Sequence, residues 1–132
     1  MAVAIDTNVI VRWLMRDDET LTARADGLIA SAVSGSILLD RMILAELSYV
    51  LRSNYKLTKT EIIANLQALV IQPCFSLVDK QLTQAMIDHF AHHSMLSMED
   101  AWLLAMYTKR YVDDVLTFDE PLKKRLSTNT RV

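Results

Sequence analysis

Four acidic residues draw attention through the company they keep. Asp6 ends the apolar run Ala2-Val3-Ala4-Ile5, and Asp119 follows Val115-Leu116-Thr117-Phe118. Asp100 falls in the first turn of a helix expected over 97–111, and Glu46 lies inside a helical pattern that starts near Met42. Carboxylates gathered together repel, and their pKa values rise unless a cation lies between them. An all-oxygen donor set without His or Cys suits a hard ion, so Mg2+ is expected, with Mn2+ as its substitute. Such an ion binds a non-bridging phosphate oxygen, acidifies a coordinated water and offsets the charge that builds on a leaving oxygen. Phosphodiester hydrolysis is the chemistry these residues point to.

Each acid also has a simpler reading. Asp6 and Asp119 stand where N-caps of the following helices would stand, and Ser97-Met98-Glu99-Asp100 fits a capping box with Asp in the usual Glu position. Glu46 has no terminus to cap. Among Ile43, Ala45, Leu47 and Val50 its charge calls for a partner, a metal or a rim position in water.

The elements that must position these acids follow from hydrophobic periodicity. A strand over 2–5 feeds a helix over 9–16; with no polar alternation, it reads as a central parallel strand covered on both faces. Asp17-Asp18-Glu19-Thr20 interrupts the pattern, a second helix runs to about residue 33, and Ser34-Gly35-Ser36 is the clearest turn before a strand over 37–39. Apolar positions 43, 47, 50 and 51 predict a helix over 42–52, and another spans 58–70 until Pro73. A strand over 75–78, helices over 80–92 and 97–111, a strand over 115–117 and a short helix after Asp119 follow, with a last strand at the extreme C-terminus. Alternating short strands and helices imply βαβ units, hence a parallel sheet with helices on both faces. In such a sheet, functional groups gather at the carboxyl ends of the strands.

Composition narrows the class. At 132 residues the chain fits one domain over 1–132, large enough to bury a core without disulfides. Apolar residues make up 52% against 2 Gly and 2 Pro, which excludes a flexible or low-complexity chain. An apolar excess in so small a domain suggests that helix faces carrying Trp13, Tyr49 or Trp102 pack against another chain. The single Cys74 and the absence of a charged region followed by an apolar one at the start point to a reducing cytoplasm. The longest apolar run, 101–107, falls well short of the roughly 20 residues that a membrane helix needs. A net charge of −2 excludes coating of nucleic acid by bulk attraction, so a polyanion must be held locally, by a bound cation or by basic residues.

Other signals carry less. His89, His92 and His93 share a helical face, but no Cys or acid at matched spacing completes a metal site, and a polar surface is the commoner meaning. Cys74 reads as a buried inert thiol. Lys123-Lys124-Arg125 suits a helix end facing the dipole, and its nearness to Asp119 makes it a candidate contact for a phosphate backbone, with Arg12 and Arg16 weaker candidates of the same kind.

Asp6-Thr7-Asn8, Glu46 within Leu44-Ala45-Glu46-Leu47, Asp100-Ala101 opening a helix, and Thr117-Phe118-Asp119 resemble, in order and separation, the PIN-domain nucleases, most closely the VapC-type toxins. The resemblance spans nearly the whole chain. It implies a three-layer α/β/α fold around a central parallel sheet of four to five strands, Mg2+-dependent endonuclease action on RNA, a homodimer, and inhibition by a cognate antitoxin. Asp6, Glu46, Asp100 and Asp119 match the family's metal-binding acids. Thr7 and Thr117 match its hydroxyl positions, which orient carboxylates from behind, and Asn8 fits the first motif. Glu99 is set apart from Asp100 because adjacent helical residues point about 100° apart. The chain departs from the pattern at Thr130-Arg131-Val132, which leaves little length for a final strand. The rival in another class is a non-catalytic PIN-like interaction module whose acids serve only as caps. Phosphotransfer through Asp6 fits less well, because a second Asp would be required where Asn8 stands.

Overall fold

A computed structural model describes residues 1–128. The chain divides into two compact units, the first Met1–Val78 and the second beginning at Asp79.

The first unit is α/β. Its strands are β1 (Val3–Ala4), β2 (Ile37–Leu39) and β3 (Phe75–Leu77); its helices are α1 (Thr7–Met15), α2 (Glu19–Ala30), α3 (Arg41–Ser53) and α4 (Lys59–Val70). The sheet is parallel in the order β1-β2-β3, with Val3 opposite Ile37 and Leu39 opposite Leu77. Helical crossovers between parallel neighbours are what the strand and helix alternation requires. The turn before β2 rests on Gly35, at φ +71°, where an added Cβ would sit 3.2 Å from Ser76 Oγ. Ser76 Oγ donates to the Gly35 carbonyl at 2.8 Å and locks the turn against β3.

Spacing dictates which helix faces are buried. In α3, Leu44, Leu47, Ser48 and Leu51 form one buried stripe, and in α1 Thr7, Ile10 and Val11 do the same. The stripes let α1 pack against α2 and α3, α3 against α4, and α4 against β3. Asp18, Asp40 and Thr58 cap α2, α3 and α4, and Thr58 with Glu61 closes a full capping box.

The second unit is helical: α5 (Lys80–His92), α6 (Met98–Thr108) and α7 (Glu120–Thr128). Helix α5 packs on α6, and α6 on α7. Leu96, Leu104 and Leu122 form a buried cluster, with Leu103, Val115 and Leu126 packed against it.

The α/β class and the parallel sheet agree with the sequence reading, but three expectations need correction. The described residues form three strands, not four to five. Residues 115–117 make no strand; Leu116 is 95% exposed and Phe118 98%. An apolar run satisfies a strand pattern locally, whereas a strand exists only where a neighbour accepts its backbone hydrogen bonds. For the same reason β1, expected at the centre, stands at the end of the strand order with both residues exposed. The last expected strand lies outside the described residues at its end, and α7 occupies the stretch before it.

Candidate metal centre and its surroundings

Asp6 and Glu46 belong to the first unit, Asp100 and Asp119 to the second. Asp6 is exposed immediately beyond β1 and caps α1, its Oδ1 accepting the Asn8 amide at 3.1 Å. The capping role and the carboxyl-end position both hold, because one bond leaves most of a carboxylate's roughly four lone-pair sites unused. Behind it, Thr7 is 3% exposed and its Oγ1 has no hydrogen-bond partner. The hydroxyl expected to orient the Asp6 carboxylate therefore makes no bond to it. Asn8 is exposed and is engaged through its amide.

Glu46 lies in the second turn of α3, exposed, next to buried Leu47. Of its two sequence-level placements, the rim position in water is the one observed. Asp100 is half-buried and one turn before the fully buried Leu104, on the same side of α6, whereas Glu99 is exposed. Ser97 Oγ accepts the Asp100 amide at 3.1 Å, so Ser97 caps α6; the return bond that would complete a capping box is not formed, and the Asp100 carboxylate is left for other work.

Asp119 Oδ2 accepts the Leu122 amide at 2.9 Å, capping α7, and its own amide donates to Thr117 Oγ1 at 3.0 Å. Thr117 therefore orients Asp119 through the backbone rather than through the carboxylate. None of the four carboxylates forms an ion pair among the described residues. No group of three or more His, Cys, Asp or Glu side chains able to hold a metal ion occurs among those residues either.

The basic candidates have other engagements. Arg12 Nη1 donates to Asp17 Oδ1 at 2.9 Å, and Tyr55 donates its hydroxyl to Asp17 Oδ2 at 2.7 Å. Those two bonds, the tyrosine's foremost, hold the Asp17 carboxyl below the usual carboxylate range, and Arg12 is raised in turn. Arg16 grips Asp26 with two bonds at 3.0 and 2.7 Å, tying α1 to α2. Lys123 meets Glu120 at 3.4 Å, Lys124 is exposed and Arg125 half-buried.

The histidines form no ligand set. His89 Nε2 is hydrogen-bonded to Thr108 Oγ1 at 3.1 Å, His89 stacks on His93 with centroids 5.7 Å apart, and His92 Nδ1 bonds the Asp88 carbonyl at 2.7 Å. Burial first, then His93, pushes the His89 pKa down. Cys74 is buried and burial raises its thiol pKa, as an inert thiol requires.

One residue escaped the sequence reading. Asp40 follows β2 as Asp6 follows β1, and since Ala4 pairs with Leu38 the two aspartates leave the sheet at the same level. Leu38-Leu39-Asp40 repeats the pattern of Ala4-Ile5-Asp6, which was the available signal. Asp40 Oδ1 accepts the Ile43 amide at 3.1 Å and caps α3.

Among the described residues no helix is long and apolar enough to cross a membrane. Neither a curated protein nor a solved structure matches the chain. The family model described as PIN domain matches residues 3–125, a stretch that contains all four acids and crosses both units. PIN domains are typically nucleases that use divalent metal ions. With a match over nearly its whole length, a parallel α/β sheet and acids following its strands, the chain belongs to the PIN domain family.

Proposed function

We propose that this chain is a Mg2+-dependent endoribonuclease of the VapC toxin type, working as one three-layer PIN domain over 1–132. The observation that carries the reading is the state of the acids. Asp6, Glu46, Asp100 and Asp119, all inside the matched stretch, have no cationic partner among the described residues. Carboxylates left unpaired in a PIN domain suit a hard divalent ion.

In this reading Asp6, Asp100 and Asp119 hold Mg2+, and Glu46 binds a second ion or orients the attacking water. When bound, the ion neutralises charge on the phosphate and on the leaving oxygen. The chain's own contribution is positional. Capping bonds fix the rotamers of Asp6 and Asp119, Thr117 holds the backbone at Asp119, and Asn8 sets the first turn of α1. Lys123, Lys124, Arg125 and Arg12 are the proposed backbone contacts for RNA.

As a toxin the protein would act in the cytoplasm as a homodimer, and a cognate antitoxin would cover an apolar groove near the acids. Of Trp13, Tyr49 and Trp102, the aromatic residues expected at an interface, Tyr49 on α3 is the most exposed, at 60%. A second reading, a non-catalytic interaction module, draws on the capping bonds that Asp6 and Asp119 make.

Incubation of a structured RNA pool with purified protein, with and without Mg2+, separates the two. Wild type should cut only with Mg2+, and Asp6→Asn should cut about 100-fold more slowly or less, the scale on which losing one electrostatic contact to a transition state is felt. Equal cleavage by both proteins would place the activity at another site or in a contaminant.

A further inference from the structure

Helices α1 and α2 enclose a cleft of about 160 Å3, lined among others by Asn8, Val9, Arg12, Leu21, Arg24 and Leu28. That volume is close to the roughly 150 Å3 that accommodates a benzene ring, so the cleft has room for one flat ring. Leu21, Arg24 and Leu28 recur at i, i+3 and i+7 and form one stripe of α2; the leucines are 36% and 59% exposed, although apolar. Arg24, between them, is exposed and has no hydrogen bond or ion pair among the described residues, unlike Arg12, which Asp17 holds. Val9 and Leu28 also line a second hollow of about 270 Å3 whose wall includes Asp6, so the apolar surface runs continuously from the carboxyl end of β1 to Arg24.

We infer that this cleft is a binding subsite for single-stranded RNA next to the scissile position, with Arg24 as the phosphate contact and the Leu21–Leu28 floor receiving one base. The inference rests on the nuclease reading for its orientation, since the groove leads toward Asp6. An uncommitted guanidinium presents a planar fork suited to a phosphate, and the two leucines give the base a dry surface on either side of it. Single-stranded RNA binders pair a cation tracking the backbone with a platform for base faces, usually an aromatic one; here Leu21 and Leu28 offer an aliphatic platform instead. An acidic peptide seating an apolar side chain in the cleft is the competing occupant, and it would leave RNA affinity indifferent to Arg24.

The test is equilibrium binding of a fluorescent single-stranded oligoribonucleotide to the full chain in EDTA, where a metal-dependent cut is silent. Arg24→Ala should weaken binding roughly tenfold and lower the slope of log affinity against log salt by about 0.7, the share of one phosphate on a single strand. Arg24→Lys should restore the salt slope but only part of the affinity, since it keeps the charge without the fork, and Arg52→Ala, an exposed cation on α3, should leave both unchanged. Arg24 is exposed, so all variants should melt with the wild type. Affinity and slope unchanged in Arg24→Ala, or no RNA binding by the wild type, would overturn the subsite and leave the cleft to a protein partner. A parallel arm with Mg2+ scores cleavage separately. An RNA that binds through Arg24 and is never cut refutes the nuclease while keeping the subsite; an RNA that is cut equally well by Arg24→Ala does the reverse.

Discussion

Asp6 shows how one carboxylate serves structure and chemistry together. Its bond to the Asn8 amide occupies Oδ1 alone. Asn caps a helix about as well as Asp, whereas Ala costs roughly 1 kcal/mol. Asp6→Asn should therefore melt within a degree or so of wild type while losing metal-dependent cleavage, and Asp6→Ala should lose both. Equal destabilisation by the two variants in urea unfolding would show that the charge, not the cap, matters to the fold. His89 makes stability depend on pH. Burial and the stacked His93 depress its pKa, with Asp88 opposing and His92 and Lys109 reinforcing the shift. The folded state thus prefers the neutral ring. The stability this represents is complete above the unfolded pKa of about 6.5 and is lost as pH falls below it toward the folded value. Denaturation midpoints from pH 7.5 to pH 5 should fall less steeply in His89→Gln than in wild type, and parallel curves would contradict the assignment.

Among the elements, α7 depends most on a single side chain. Its N-terminus carries the Asp119 cap, and Leu122, fully buried against Leu96 and Leu104, is its anchor. Leu122→Ala should cost about 2–5 kcal/mol and reduce cleavage through Asp119, whereas a loss under 1 kcal/mol by urea unfolding would mean that the cluster repacks freely. The helices were legible because their information is local: apolar stripes at helical spacing, Ser97 at a cap, and Gly35 at the turn. The strands were less so. Ile37–Leu39 and Phe75–Leu77 pair as expected, yet Val115-Leu116-Thr117, equally apolar, does not, because pairing is decided by residues far away in sequence. The capping duties of Asp6 and Asp119 were likewise readable from position. The orphaned Thr7 hydroxyl and the capture of Arg12 by Asp17 were not, since each depends on tertiary neighbours that no local spacing encodes. Asp40 repeats the local pattern of Asp6, but its place at the same level of the sheet depends on the pairing of Ala4 with Leu38, which local sequence does not encode.

At the level of the whole molecule, the family match crosses the two units and takes in two acids from each. If the four acids act on one ion, as proposed, their effects are not independent. Groups acting as a unit show strong coupling, whereas independent sites add. The most direct measurement is the Mn2+-induced shift in melting temperature of wild type, Asp6→Asn, Asp100→Asn and the double variant. A saturable rise in wild type reports binding to the folded state. The account predicts that either single substitution abolishes the rise and that the double variant behaves like each single one. A rise that survives in both single variants, or no rise in the wild type at millimolar Mn2+, would contradict it.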